Sequence, residues 1–341
     1  MNSSSDRIGR FAGTPREIGR AAGRALGPRL DENIGRYIRE RPRRPDALDL
    51  GALRRGALPW LRTLPQRFQD ELEGLADGAN LPLQRVAEWN YVESCVDDSC
   101  SGFVGRLGPH VWVARNNDMF APDAWGYATI REVTGRIATL SFGQEGDVFT
   151  ATGVNRDRLW LHHQALPTSD APRPGRPHLS GWVLLTDMLE TCSTIGDVEA
   201  RLGEVDRDEG MLLFAVDGKS DEFAILECAC SGVARRAPTG PWLVGTNHAC
   251  ALGRTAPADS SQSRHTRMEA MATDLYARES RVDLAADLIA ILADDHVERR
   301  GQDFATVYAN VGCPATGELW FTFGGHPAAS RGEWLPIAWP W

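Results

Sequence analysis

The chain has 341 residues, 42% of them hydrophobic, and a formal net charge of −9 at pH 7. This length and apolar content allow one large domain or two smaller ones, and the negative charge disfavours nucleic acids and anionic membranes as partners. No apolar run is long enough to span a bilayer. Because the start of the chain lacks an apolar signal core and the seven cysteines are scattered and odd in number, we expect a cytoplasmic protein with reduced thiols.

The first 99 residues are predicted to be mostly helical. Apolar residues recur at helical spacing in three segments, which are 13–26, 48–78 and 81–91. Thr14 and Pro15 suit the cap and the first position of the first helix. Pro59 and Pro65 divide the second segment into two helices. The polar, proline-broken stretch 40–47 is expected to be a loop.

The pattern changes at Cys100, after which short β-type runs dominate. These runs are 111–114, 127–133, 137–142, 158–162, 211–216, 222–228, 242–246, 305–310 and 318–323. Helical patterns interrupt them at about 178–192, 196–204, 262–277 and 282–293. This order predicts an α+β domain with large sheets, in which a helical segment 1–99 precedes a sheet-containing segment 100–341. The proline-rich stretch 167–177 is predicted to be a surface loop between strands of one sheet system.

Cys100 begins the most informative stretch of the sequence. Two apolar runs, 101–105 and 111–114, are separated by the turn residues 107–109, which predicts a β-hairpin. The hairpin returns four polar residues to the side of the thiol: Arg115, Asn116, Asn117 and Asp118. A nucleophile then has a cation, two amides and a carboxylate within reach, which are the groups that hold and activate a thiol.

Each of these residues also has an ordinary structural interpretation. A free cysteine is most often an inert buried side chain, Asp118 is also typical of a turn after a strand, and Arg115 is equally well a solvated charge or an ion pair. The spacing between Cys100 and Asp118 favours the nucleophile. Because neighbouring strand residues alternate, one of Asn116 and Asn117 is expected to face away from the thiol.

The remaining histidine, cysteine and tryptophan patterns carry less weight. Cys228-x-Cys230 is too closely spaced for a metal site and is interpreted as strand core. His162 and His163 are adjacent on a strand and point to opposite faces, so core or pocket lining is favoured over metal binding. His163 and Trp160 are weak candidates for substrate contact, as are Asn116 and Asn117. No metal or cofactor is expected.

Five motifs lie in series along the chain: Gly13-Thr14-Pro15-x-Glu17-Ile18-Gly19, Glu71-x-x-Gly74-x-Ala76-x-Gly78-Ala79, Cys100 with Asn116-x-Asp118, Gly245-Thr246-Asn247-His248, and Ser263-Arg264-His265-Thr266-Arg267-Met268-Glu269. Together they resemble the acyl-coenzyme A:6-aminopenicillanate acyltransferase family of cysteine N-terminal-nucleophile hydrolases, which is related to the choloylglycine and penicillin V hydrolases. The resemblance implies a four-layer αββα fold. It also implies a precursor that cuts itself at Ser99–Cys100 into chains 1–99 and 100–341.

The resemblance also implies a role for each motif residue near the cut. The Cys100 thiol attacks the Ser99 carbonyl, and the freed α-amine, with a reference pKa of ~7.7–8.0, then serves as the base for that thiol. Asp118 would orient the new ammonium group. Asn247 would donate its amide to the oxyanion, and Arg115 would stabilise the thiolate or contact the substrate.

The chain departs from the family pattern at several positions. Ser99 stands where glycine is frequent, Gln302 and Asp303 occupy the segment where the penicillin acyltransferase has an arginine, and Arg158 replaces the last glycine of a turn motif. Arg115, three residues before Asp118, instead resembles the Arg-x-x-Asp of bile-salt and penicillin V hydrolases.

These observations predict a self-processing cysteine amidohydrolase or acyltransferase that forms a thioester on Cys100. The expected partner is a small linear amide or acyl donor. A role in secondary metabolism is implied by the resemblance alone. The sequence has no basic phosphate-binding loop that would indicate a coenzyme A donor. Two alternatives stay open. One is an uncut hydrolase or thioesterase with a Cys100–His248 dyad, and the other is a non-catalytic binding protein with the same fold.

Overall fold

A computed structural model describes residues 7–40, 49–93, 99–253, 258–278 and 283–341. The helices of this part of the chain are α1 (Pro15–Leu26), α2 (Pro28–Glu40), α3 (Leu50–Leu61), α4 (Gln66–Ala79), α5 (Leu83–Glu93), α6 (Gly181–Thr191), α7 (Ile195–Glu204), α8 (Asp259–Ala277), α9 (Leu284–Leu292) and α10 (Ala328–Arg331). None of the helices in these ranges combines the length and the apolar character that a bilayer crossing requires.

The strands are β1 (Ile8–Gly13), β2 (Ser99–Leu107), β3 (His110–Phe120), β4 (Trp125–Val133), β5 (Thr139–Gln144), β6 (Thr152–Asn155), β7 (Leu159–Leu166), β8 (His178–Leu179), β9 (Asp206–Arg207), β10 (Gly210–Asp217), β11 (Glu222–Cys228), β12 (Val233–Arg236), β13 (Trp242–Gly245), β14 (Phe304–Cys313), β15 (Glu318–Phe323) and β16 (Glu333–Ile337). All nine β-type runs predicted from the sequence coincide with strands, and the four helical patterns after Cys100 coincide with α6 to α9.

Two large sheets stack face to face between layers of helices. One has eight strands in the order β1-β4-β5-β6-β7-β10-β11-β12, and the other has six in the order β13-β2-β3-β14-β15-β16. Helices α6 and α7 contact the eight-stranded sheet, whereas α8, α9 and α10 contact the six-stranded sheet. Contacts of β2 with β7 and of β4 with β14 join the two sheets. The layers therefore run helix, sheet, sheet, helix, and the predicted α+β fold with an αββα sandwich is confirmed.

The N-terminal segment agrees with the sequence in most respects. Thr14 caps α1 through a capping box with Glu17, and Pro15 is its first residue, as predicted. The segment with two prolines forms the two helices α3 and α4, although Pro59 lies inside the end of α3. Helix α2 and strand β1 were not predicted. Most of the predicted loop 40–47, namely residues 41–47, lies outside the described residues, and residue 40 is the last residue of α2.

The first two sequence motifs pack against each other as helices α1 and α4. A Cβ atom at Gly19 would lie 2.0 Å from the carbonyl oxygen of Glu71, and one at Gly74 would lie 2.3 Å from that of Arg16. Side chains at these positions would force the two backbones apart. The glycines of these motifs therefore permit a close helix crossing, which is a structural role.

A buried ion network joins the N-terminal helices to the rest of the fold. Arg67 of α4 donates from Nε to Glu190 of α6 at 2.6 Å and also pairs with Glu71. Glu71 in turn accepts from Nε of Arg131 on β4 at 3.1 Å. Strand β1 adds to this connection by pairing in parallel with β4. These contacts would still hold the N-terminal segment to the sheets if the peptide bond between Ser99 and Cys100 were cut.

Candidate active site

The predicted hairpin is formed by β2 and β3. Cys100 is paired with Asn117 across the two strands, and the alternation of side chains puts Arg115 on the same face as both. This inner face points toward the eight-stranded sheet. Asn116 and Asp118 occupy the outer face, which points toward α8 and α9. The expectation that one asparagine faces away from the thiol is therefore confirmed.

The thiol of Cys100 lies in a buried, positively charged position. Its Sγ atom is 3.3 Å from Nη2 of Arg115 and 3.8 Å from Oδ1 of Asn117. The same Nη2 atom donates to Oδ1 of Asn117 at 2.5 Å. All three side chains are fully buried. A guanidinium held at this distance from sulfur stabilises negative charge on it, so the arrangement suits a thiolate nucleophile.

Arg115 is itself held by groups from both sheets. Its Nη1 atom donates to the carbonyl of Ala151 and to the hydroxyl of Thr152 at the start of β6. Nη1 also lies 3.4 Å from the hydroxyl of Tyr308 on β14, and this hydroxyl lies 3.1 Å from that of Thr152. The guanidinium therefore has one orientation, which places its charge beside the sulfur.

Asn247 contacts the nitrogen of the bond that is predicted to be cut. The backbone N–H of Cys100 donates to its Oδ1 atom at 3.1 Å, while its Nδ2 atom donates to the carbonyl of Ala165 at 2.9 Å. In this arrangement the amide N–H is engaged by β7, so the expected donation to an oxyanion stays a prediction. In the structure, Asn247 positions the backbone at Cys100 through this hydrogen bond.

Arg264 of α8 is a residue of the site that the sequence analysis did not single out. Its Nη1 atom donates to the carbonyl of Cys100 and to the hydroxyl of Ser101, the latter at 2.7 Å. Its Nη2 atom donates to the hydroxyl of Ser99 and to Oδ1 of Asn247, both at 2.9 Å. One buried guanidinium thus holds the chain on both sides of the Ser99–Cys100 bond.

The buried position of Arg264 is supported by a carboxylate. Nη1 of Arg264 lies 4.0 Å from Oδ2 of Asp118, whose other oxygen accepts from the hydroxyl of Thr306 at 2.7 Å. Burial lowers the pKa of Arg264, and the charge of Asp118 acts in the opposite direction. Asp118 is paired with Ser99 across the hairpin. The carboxylate therefore lies beside the residue before the nucleophile, on the outer face of the hairpin, and its role toward the new ammonium group stays a prediction.

Two of the weaker candidates for substrate contact lie away from the thiol. Asn116 donates from Nδ2 to the carbonyl of Leu292 at the end of α9. His163 points to the helix side of the other sheet, where its ring packs edge-on against Trp182 of α6 at 5.2 Å. Neither side chain faces Cys100, because each is on the opposite side of its strand. The structure therefore does not bring these two side chains to Cys100, and their contact with a substrate stays a prediction.

Trp160 and His162 lie between the two sheets. Trp160 donates from Nε1 to Nδ1 of His162 at 3.0 Å, and the imidazole stacks on Phe214. A Cβ atom at Gly102 would lie 2.9 Å from Nε2 of His162, so this imidazole faces the strand of the nucleophile two residues after Cys100. Burial lowers the pKa of His162 far below its usual value, so the ring is neutral. Sequence reasoning interpreted it as core or pocket lining, which agrees with this position.

The other thiols and His248 serve as comparisons for Cys100. Cys228 is buried in β11, which confirms the strand-core interpretation for this residue, and burial raises its pKa to about 12. Cys230 is also buried but lies in a bend after β11, so it is not part of the strand. His248 hydrogen-bonds through Nδ1 to the hydroxyls of Ser261 at 2.8 Å and Thr246 at 3.3 Å. No hydrogen bond joins His248 to Cys100 among the described residues, so a dyad of the two receives no support.

Comparisons with known proteins return likeness at the level of structure alone. No protein-family model matches the chain, and no curated protein matches it in sequence. A variant of conjugated bile acid hydrolase from Clostridium perfringens is 13% identical, with a TM-score of 0.49 over 70% of this chain and 97% of that one. Penicillin V acylase from Agrobacterium tumefaciens is 16% identical, with a TM-score of 0.46 over 70% and 86%.

A third structure, the Caenorhabditis elegans ortholog of N-acylethanolamine-hydrolyzing acid amidase, is 13% identical, with a TM-score of 0.45 over 63% of this chain and 93% of that one. All three TM-scores are below 0.5. The assignment of the site therefore rests on the contacts within the chain itself.

Proposed function

We propose that this chain is a cysteine amidohydrolase of the N-terminal-nucleophile type, which cuts itself before Cys100 and then cleaves a small linear amide. The observation that carries the proposal is the environment of Cys100. Its sulfur lies 3.3 Å from the guanidinium of Arg115, and Arg264 and Asn247 hold the backbone on both sides of the bond before it. The five sequence motifs support the same assignment by their resemblance to such enzymes.

The first reaction is an acyl shift followed by hydrolysis. The thiolate of Cys100 attacks the carbonyl carbon of Ser99, the carbon–nitrogen bond breaks, and the nitrogen takes up a proton to become the α-amine of Cys100. A thioester then joins Ser99 to the sulfur. Water cleaves this thioester, leaving a carboxylate on Ser99 and a free thiol on Cys100. Arg264 and Asn247 limit the motion of the chain during the attack, which is the positioning that such a reaction requires.

The second reaction uses the same thiol on a substrate. The free α-amine, whose pKa in model compounds is ~7.7–8.0, accepts the thiol proton near neutral pH. The sulfur attacks the amide carbonyl, the amine portion leaves with a proton, and water releases the acyl group from Cys100. A second amine in place of water would give acyl transfer. Arg115 stabilises the thiolate, and Asp118 orients the ammonium group.

The proposal is tested by trapping the acyl group on the protein. Purified protein is incubated with a panel of small N-acyl amides, quenched in acid and analysed by intact mass spectrometry. We expect an acyl adduct on the fragment that begins at Cys100, and its faster loss when an amine is added would identify acyl transfer. A Cys192→Ala variant, which removes a different buried thiol, should give the same adduct.

Two results would overturn the proposal. One is an adduct that persists in a folded Cys100→Ala variant. The other is a panel that yields neither an adduct nor hydrolysis, together with saturable binding of the amides, because this result would identify a binding protein with the same fold.

A further inference from the structure

A second cluster of reactive side chains lies next to the active site, at the end of β13 and on α8. His248, Cys250 and His265 each offer one ligand atom, and these atoms all lie within 4.8 Å of one another. The ligand atoms of a tetrahedral zinc site are about 3.3–3.7 Å apart, as follows from bond lengths of about 2.0–2.3 Å. Small side-chain rotations would therefore bring the three atoms to bonding distance of one ion.

Both histidines use Nδ1 for other contacts, which leaves Nε2 for a metal. Nδ1 of His248 bonds to the hydroxyl of Ser261 at 2.8 Å, and Nδ1 of His265 lies 3.4 Å from a carboxylate oxygen of Glu269. Nε2 of His265 is buried and lacks a hydrogen-bond partner within the described part of the chain, although the ring also lies near the backbone of Val244. A carboxylate or hydroxyl on the second nitrogen is the usual support of a metal-binding histidine, because it fixes the ring and its tautomer.

The position of Cys250 is fixed by a buried carboxylate. The backbone N–H groups of Cys250, Ala251 and Leu252 all donate to Glu227, at distances between 2.6 and 3.0 Å. Glu227 and Glu269 bring negative charge near the cluster, and Arg236 and Arg264 bring positive charge. These hydrogen bonds hold the backbone of the loop at Cys250 in place.

We propose that His248, Cys250 and His265 bind one zinc ion, with a solvent molecule as the fourth ligand on the exposed side of Cys250. Two imidazoles and one thiolate form a donor set that zinc accepts readily. His248 directly follows Asn247, and His265 directly follows Arg264. The ion would tie the end of β13 to α8 and so fix the two residues that hold the backbone at Cys100. This assignment is independent of the proposed amide chemistry and replaces the expectation that the chain binds no metal.

Cobalt(II) tests the site because it takes zinc positions and absorbs light. Metal-free protein is titrated with Co²⁺, and we expect one equivalent to bind with a sulfur-to-cobalt charge-transfer band and the visible bands of tetrahedral coordination. Zinc should then abolish both. Cys250→Ser should remove the charge-transfer band, whereas Cys192→Ser should keep it.

Variants of His265 and its neighbour Glu269 distinguish a three-residue metal site from cobalt binding by the Cys250 thiol alone. His265→Ala is expected to lose tetrahedral binding, and Glu269→Gln, which changes only a half-exposed supporting carboxylate, should weaken affinity by about 10- to 100-fold. Circular dichroism verifies that each variant is folded. If His265→Ala does not fold, the affinity of Glu269→Gln alone decides the test. Wild-type protein without the band, a band that survives in Cys250→Ser, or full affinity in both Glu269→Gln and His265→Ala would overturn the proposal.

Discussion

The two faces of the β2–β3 hairpin carry different parts of the site. On the inner face, between the sheets, Arg115 and Asn117 contact the sulfur of Cys100. On the outer face, Arg264 from α8 contacts the side chain of Ser99, the carbonyl of Cys100 and the side chain of Ser101. The inner face acts on the reacting atom, and the outer face holds the chain in which that atom lies. Substitutions on the two faces should therefore have different kinetic effects.

The largest effect is expected on the inner face. Arg115→Met removes the cation beside the sulfur, and we expect both self-cleavage and amide turnover by cut protein to fall about 100- to 1,000-fold. The rates are followed by intact mass and by product release. Arg115→Lys, which keeps the charge, should recover part of the loss. Arg106→Met, an exposed arginine of the same hairpin, should match wild type. Equal rates in Arg115→Met and Arg106→Met would show that the cation has no role.

A smaller and selective effect is expected on the outer face. Arg264→Met removes contacts on both sides of the Ser99–Cys100 bond, and we expect self-cleavage to slow about 10- to 100-fold because the attack geometry is less constrained. Amide turnover per cut molecule should change less. After cleavage Ser99, one of the residues that Arg264 contacts, belongs to the other fragment and no longer precedes Cys100 in the chain. A larger loss in turnover than in self-cleavage would contradict the division between the two faces.

The smallest effect is expected from two neighbouring asparagines, which form a matched pair. Asn117→Ala removes the acceptor that orients Arg115, and we expect about a tenfold lower rate of self-cleavage. Asn116→Ala removes a hydrogen bond to Leu292 on the outer face, so its expected cost is about 1 kcal/mol in the free energy of unfolding, with an unchanged rate. Denaturant titration and cleavage kinetics on both variants decide the assignment. Reversed effects would mean that the faces are wrongly assigned.

The hairpin itself could be predicted because its information is local. The turn at 107–109 and the alternation of strand residues specify both the register at Cys100 and the opposite orientations of Asn116 and Asn117. Helix α2 could also have been predicted from the sequence, because its buried residues recur at helical spacing.

The outer-face contacts could not be predicted in the same way. Arg264 is 165 residues from Ser99 along the chain, and only the packing of α8 on the six-stranded sheet brings them together. One signal was present, since Arg264 falls on the buried side of α8 between Ser261 and Met268, at spacings typical of a core-facing stripe. A charged residue in that stripe indicates a buried partner but does not identify it. The motifs at residues 13–19 and 71–79 could likewise each be found in the sequence. Their contact with each other could not, because it depends on how α1 and α4 pack.

Self-cleavage at Ser99–Cys100 is the central claim, and the intact mass of freshly purified protein tests it most directly. For wild type and for Cys192→Ala, we predict two masses, one for residues 1–99 and one for residues 100–341. Native gel filtration should elute these two together, because the buried network of Arg67, Glu71 and Glu190 joins them. For a folded Cys100→Ala variant, we predict one uncut mass. A wild-type protein that hydrolyses amides while it keeps a single uncut mass would contradict the account.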